Sequence, residues 1–181
     1  MIGVLMVDIK TVQYNQDITK IGIVSDTHIP TRGQLIPPKL FKIFEEVQLI
    51  LHAGDLVDEM VLDELRALAP VEAVAGNMDP GHLQIKLGKV KVIRVGDIPI
   101  GLVHGDFSGR RADLDRLVGI FKPVKPRAVV FGHLHEPLVK KREGTLFFNP
   151  GSVIDPRRNS KPSCGLLSIK GEEVKGEIFY V

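Results

Sequence analysis

Asp26 and His28 stand two residues apart at the end of the stretch Lys20-Ile21-Gly22-Ile23-Val24-Ser25-Asp26-Thr27-His28. In extended backbone, side chains i and i+2 point to the same side, roughly 6.5–7 Å apart along the chain. A carboxylate and an imidazole so placed can converge on one cation as hard-oxygen and borderline-nitrogen ligands. Alone, this pair is short and common. It gains weight from Asp55, Asn77, His104, His133 and His135, residues of the same kinds at four later strand ends.

Each of these residues has an ordinary explanation when taken singly. A strand-end Asp or Asn is usually a turn or cap residue, and a lone His is usually hydrogen-bonded and nothing more. Co-location changes the balance, because four of the six histidines and two carboxylates follow directly on apolar strands. Oxygen and nitrogen donors without a thiolate suit Mn, Fe, Zn, Ni or Co rather than a Cys-type structural zinc. Seven ligands exceed the needs of one ion and suit two ions sharing a carboxylate. In two-metal sites the ions lie about 3.5–4 Å apart and hold a hydroxide nucleophile between them. His133 and His135, same-facing in an extended chain, can each take one ion.

The elements that must position these residues are legible as short apolar runs. Residues 20–24, 49–55 and 71–75 read as buried strands, separated by helices that begin near Pro37-Pro38 and Asp58. Leu40, Phe41, Phe44 and Val47 make one helix face, and Val61, Leu62, Leu65 and Leu68 the other. This is a β-α-β-α-β pattern with polar groups at the C-terminal strand ends, where open α/β sheets place ligands. From residue 89 the pattern changes to hairpins: 89–95 with 98–103, then turns near Glu143-Gly144 and Lys170-Gly171. A helix bearing Leu114, Leu117, Val118 and Phe121 and a strand at 128–131 fall between them. The sequence therefore predicts a mixed α/β fold, two sheets packed together with helices outside. No repeat, low-complexity run or linker divides the 181 residues, so one domain is expected, with residues 1–19 an extension of open role.

Composition narrows the function classes. Hydrophobic and charged fractions of 44% and 25% are ordinary for a globular chain. A net charge of +2, 6% aromatics and no Trp argue against a nucleic-acid-coating surface. The single cysteine, Cys164, excludes an internal disulfide and fits a reducing compartment; its place before a late strand reads as packing. No run approaches the ~18 apolar residues of a membrane span, and Met1–Val7 lacks the basic flank of a signal sequence. A cytoplasmic location is expected.

Asp-x-His, Gly-Asp, Gly-Asn, His-Gly and Gly-His-x-His, in that order from Ile21 to about Ser152, resemble the calcineurin-like metallophosphoesterases. Small size and the Asn149-Pro150-Gly151-Ser152 turn look most like the compact YfcE-type phosphodiesterases, a subgroup that also includes the eukaryotic retromer scaffold subunit. The resemblance implies an αββα fold, a β-sandwich flanked by helices. It implies one ion on Asp26, His28 and His135, a second on Asn77, His104 and His133, and Asp55 bridging both. Asp55, Asn77 and His104 form the implied catalytic subset. The implied activity is hydrolysis of a small phosphodiester or phosphomonoester, diesters first, by a hydroxide bridged between two divalent ions, manganese first among them. The alternatives are a retromer-like interaction scaffold, against which stands the full ligand set, and a nuclease, against which stands the composition. Oligomeric state stays open.

Two positions depart from the family pattern. Many relatives carry a proton-donating His after Gly-Asn, where this chain has Met78. The subgroup often reads His-Gly-His where this chain has His104-Gly105-Asp106. Both changes remove a candidate general acid, worth typically ~10²–10⁴ in rate. His52 is expected to buttress a ligand, and His82 to lie in a solvated loop. Arg32, Arg110, Arg111, Arg157 and Arg158 follow motif residues and are read as exposed charge at least as readily as phosphate grips.

Overall fold

Apolar runs whose alternate residues serve two buried faces build the centre of both sheets. The structure, a computed structural model, describes residues 9–106 and 113–181. Its strands are β1 Lys10–Tyr14, β2 Lys20–Val24, β3 Leu49–His52, β4 Val71–Ala73, β5 Val90–Val95 and β6 Ile98–Val103. They continue as β7 Ala128–Phe131, β8 Pro137–Arg142, β9 Thr145–Pro150, β10 Ser163–Lys170 and β11 Glu173–Tyr180. The helices are α1 Pro38–Ile43, α2 Met60–Arg66, α3 Gly81–Leu87 and α4 Leu114–Phe121.

Five strands form one sheet in the order β11-β10-β2-β3-β4, and six form the other in the order β1-β5-β6-β7-β9-β8. Strands β2, β3 and β4 run parallel, as do β6, β7 and β9, so their C-terminal ends gather along one rim of each sheet. In β2 and β3, Ile21, Ile23, Leu49 and Leu51 enter the layer between the sheets, where they meet Ile100, Leu102, Val130 and Phe148. Their neighbours Val24 and Ile50 face the other way, toward Leu40 of α1, Phe44 at its end, Leu62 and Leu65 of α2, and Leu83 of α3. That period of two explains why these strands are apolar throughout: both faces are covered. On the far sheet, Leu117 and Phe121 of α4 pack against Val92, Val103, Val129 and Phe147. Each such side chain contributes about 1.5–3 kcal/mol by leaving water. Gly22 allows the outer layer to close, since a Cβ there would fall 2.7 Å from the Phe44 ring.

The mixed α/β sandwich flanked by helices is the fold the sequence predicts. Some details differ from expectation. Strands β3 and β4 stop at His52 and Ala73 rather than at Asp55 and Ala75. Residues 81–87 form α3 instead of a loop: Pro80 stands at its N-cap, and Gly88 at φ +72° ends it. The undecided N-terminal stretch contains β1, an edge strand pairing parallel with β5 from Lys10↔Lys91 to Tyr14↔Val95. Among the described residues no helix is long and apolar enough to cross a membrane.

Candidate metal centre

Every sequence-predicted ligand lies just past a strand, three strands in one sheet and two in the other, where the two rims meet. Asp26 and His28 follow β2, Asp55 follows β3, and Asn77 follows β4; His104 follows β6, and His133 and His135 follow β7. Backbone ties neighbouring strand ends within each rim: Asp26 N–H donates to Gly54 O and His28 N–H to Asp55 O, both at 3.0 Å, in one sheet, and Gly132 N–H to His104 O at 2.9 Å in the other. Side chains cross between the rims, His104 Nδ1–H donating to Ala53 O and the Asp26 carboxylate accepting the His133 N–H.

The side chains converge, but not in the way the i, i+2 spacing suggests. Asp26 (φ +53°), His28 (+47°), Asp55 (+58°), His133 (+69°) and His135 (+59°) are all in the left-handed region rather than extended. Such residues cost roughly 1–2 kcal/mol each and persist where surrounding contacts over-determine them. Left-handed turns swing successive side chains to different places. His135 therefore sits 3.2 Å from both His28 Nε2 and Asp26 Oδ1 through its own Nε2, while the His133 ring stands edge-on to His104 at a centroid distance of 5.3 Å.

Two donor groups result, each within 4.8 Å: Asp26, His28 and His135; and Asp26, Asp55 and His104. Asp26 is common to both groups, and Asp55 of the second also faces His28 of the first. Asp55 Oδ1 accepts the Met78 N–H at 2.7 Å, and its Oδ2 is 3.3 Å from His104 Nε2 and 3.7 Å from His28 Nε2. His133 lies beside His104, half-buried, with its backbone N–H donating to the Asp26 carboxylate at 3.0 Å. Asn77 is exposed at the rim.

Backbone carbonyls set the ring orientations. His104 Nδ1–H donates to Ala53 O at 2.7 Å and His135 Nδ1–H to Asp155 O at 2.6 Å, which turns both Nε2 lone pairs into the cleft. His104 Nε2 is the buried side-chain atom that finds no hydrogen-bond partner among the described residues. Burial opposes charge on His104, yet the Asp55 and Asp26 carboxylates beside it raise its pKa to about 9. Burial likewise pushes Asp26 upward, and the His135 hydrogen bond, nearby imidazole charge and the Ser25 hydroxyl overcome it, holding Asp26 at about 2. Against burial, the Asp26 carboxylate likewise raises the pKa of His135, whereas burial wins at His28 and His133 and lowers both. Gly76 and Gly132 keep the pocket open: a Cβ would fall 2.1 Å from Asp55 Oδ1 at the first and 1.9 Å from Ser25 Oγ at the second. Donor chemistry, an orphaned imidazole nitrogen and this cradle all fit divalent cations.

The bystanders separate clearly. His52 is fully buried and touches no carboxylate by hydrogen bond; it ties two ligand loops together. Its Nδ1 accepts from Gly54 N–H at 3.1 Å, so its Nε2–H donates to Thr27 Oγ1 at 3.2 Å. His82 is exposed on α3. Arg32 Nε reaches Asp155 Oδ2 at 3.9 Å, and Arg158 pairs with Glu136 at 3.5 Å; Arg157 is exposed, and Arg110 and Arg111 lie outside the described residues. Asp106 faces Lys89 at 3.8 Å. Burial pushes the Cys164 thiol up to about 12, in keeping with a packing role.

The turn at 149–152 is structural, and it acts on the site. Asn149 Nδ2 donates to Gly132 O and Ser152 Oγ to Asp26 O, each at 2.7 Å. Sequence reading gave no role to Asp79 or Asp155, which serve the site through backbone contacts. Asp79 stands directly behind the Asn77 loop, and Asp155 behind the Asn149-to-Ser152 turn.

Residues 19–172 match the model of the calcineurin-like phosphoesterase superfamily domain. A probable metallophosphoesterase of Methanothermobacter thermautotrophicus is 40% identical over 158 residues, 87% of this chain and 90% of that protein. Wild-type Vps29 of Entamoeba histolytica, solved in complex with zinc, is 28% identical with a TM-score of 0.71, over 88% of this chain and 98% of that one. Vps29 of Chaetomium thermophilum shares the fold, with a TM-score of 0.73 at 23% identity over 90% of this chain and 98% of that one.

Proposed function

This chain belongs to the calcineurin-like phosphoesterase superfamily, and from that premise we propose that it hydrolyses phosphate esters, diesters first, at a centre of two divalent ions. Asp26, His28 and His135 hold one ion, Asn77, His104 and His133 the other, and Asp55 is shared. One observation carries the assignment: Asp55 Oδ2 lies within 3.7 Å of a nitrogen from each set while Oδ1 is engaged by backbone. Manganese leads among Mn, Fe, Ni, Co and Zn as the resident metal. We take the chain as one domain acting in the cytoplasm on a small phosphoester.

Bound there, divalent ions supply charge neutralisation at the phosphoryl oxygens and a water acidified for attack on phosphorus. The chain supplies the geometry. The Ala53 and Asp155 carbonyls lock His104 and His135 in the tautomer whose Nε2 is free to ligate. The Met78 amide keeps Asp55 from rotating, and Met78 itself offers no proton to the leaving oxygen. The leaving oxygen would then depart with only the stability of its own anion.

Likeness to Vps29 favours a second reading, an interaction scaffold. Assay of the metal-stripped protein on bis-p-nitrophenyl phosphate, with and without added Mn²⁺, separates the two. Turnover that requires metal, and that Asp55→Ala abolishes together with metal content, is the expected result. A metal-loaded protein inactive on aryl, cyclic and nucleotide phosphodiesters and on phosphomonoesters would favour the scaffold.

A further inference from the structure

Behind the candidate ligands lies a buried carboxylate that grips their loops through backbone amides. Asp79 is 3% exposed. Its Oδ2 accepts the backbone N–H of Asp55 at 3.0 Å and of Gly76 at 2.8 Å, and its Oδ1 accepts the N–H of Val57 at 2.7 Å. One side chain thus clamps the loop after β3, which carries Asp55, to the loop after β4, which carries Asn77. The Asp79 carbonyl is in turn held by Gln84 Nε2 of α3 at 2.7 Å, which anchors the clamp to a helix.

The residues it grips are the ones that need holding. Asp55 and Val57 have φ of +58° and +77°, and Gly54 precedes them at +95°. For β-branched Val57 this conformation is a genuine outlier. Without fixed acceptors for these amides, the loop gains by relaxing to ordinary backbone, and the direction of the Asp55 carboxylate changes with it. The neighbouring ligand set does not depend on this clamp in the same degree. Asp26 is held by Ser25 Oγ at 2.6 Å, by His133 N–H at 3.0 Å and, through its carbonyl, by Ser152 Oγ at 2.7 Å. His135 is held by Asp155 O.

We propose that Asp79 is the positioning residue of the shared carboxylate, and that it governs the affinity of both ions, the second, whose Asn77 lies on the same clamped loop, more strongly than the first. This rests on the two-ion reading above. Outer partners of metal ligands typically govern affinity by 10–100-fold. Asp79→Asn keeps a near-identical shape but turns one acceptor into a donor facing a backbone N–H; Asp79→Ala removes both acceptors.

The test is calorimetric titration of Mn²⁺ into metal-stripped wild type and both variants, with thermal midpoints recorded, alongside amide hydrogen exchange. Wild type is expected to take two ions. Both variants should weaken the second ion by about tenfold or more and the first by less, Ala more than Asn. In the metal-free wild type the Asp55, Val57 and Gly76 amides should be protected, and in the folded variant they should exchange faster while those of Gly132 and His133, bonded to His104 O and the Asp26 carboxylate, change little. Two ions bound to Asp79→Asn at wild-type affinities, or a first ion weakened as much as the second, would overturn the proposal and leave the two-ion reading standing. Fewer than two ions on wild type would instead sink that reading. Should neither variant fold, free exchange of the three clamped amides in wild type would still overturn the proposal.

Discussion

The Met78 backbone N–H donates to Asp55 Oδ1 at 2.7 Å, so that Oδ2 alone faces the imidazoles of His104 and His28. The residue that lacks a proton for the leaving group therefore still fixes, through its backbone, the carboxylate both ions would share. Its side chain is 53% exposed at the rim.

That division of labour makes the leaving group decisive. Wild-type rates on a series of aryl and alkyl phosphodiesters should fall steeply as leaving-group pKa rises. Met78→His retains the amide contact and adds a proton donor, so it should flatten the dependence, with a gain of at most ~10²–10⁴ on poor leaving groups. A wild-type rate that barely changes across the series would point to another acid. Asp106, 3.8 Å from Lys89, would be the first residue to replace.

The N-terminal strand bears on stability rather than chemistry. β1 adds five paired residues to the edge of the larger sheet, and Tyr14 OH donates across to Glu72 of β4 at 3.1 Å, beside the Lys91–Glu72 pair at 2.8 Å. Deleting residues 1–19 should lower the unfolding midpoint and leave metal content and turnover intact. Tyr14→Phe should cost about 0.5–1.5 kcal/mol in urea unfolding. A truncated protein that is folded and metal-loaded yet inactive would contradict this.

Much of the site was legible because each ligand terminates an apolar run, and such runs announce strands whatever their partners. The path by which the ligands converge was not legible. The left-handed backbone at Asp26, His28, His133 and His135 depends on hydrogen bonds from distant loops, so sequence spacing suggested an extended chain instead. Helix α3 was hidden for a local reason: Pro80 and Gly81 signal a break, yet Pro fits a helix start and α3 is only seven residues long. β1 stayed open because its burial alternates weakly and its partner lies some 80 positions on. Asp79 was invisible as anything but a strand-end acid, since its partners are backbone amides, which no side-chain pattern encodes.

Acid should destabilise the fold through His52. Burial drops its pKa from 6.5 to about 3, with neighbouring imidazole charge adding to the fall and Asp26 and Asp55 opposing it. The unfolded chain then binds a proton that the folded one refuses, so stability is fully present above pH 6.5 and declines as pH falls toward 3. At pH 5 the loss from this group is on the order of 1–2 kcal/mol. His52→Asn keeps an acceptor for the Gly54 N–H and cannot titrate. Its urea midpoint should depend less on pH between 6.5 and 5 than that of wild type; equal slopes would show that His52 does not hold its place uncharged.

Anomalous diffraction at the manganese edge, from crystals soaked in Mn²⁺, tests the central claim most directly. Two peaks about 3.5–4 Å apart are expected, one bounded by Asp26, His28 and His135 and the other by Asn77, His104 and His133, with Asp55 Oδ2 between them. An empty cleft, a single peak, or peaks elsewhere on the molecule would contradict it.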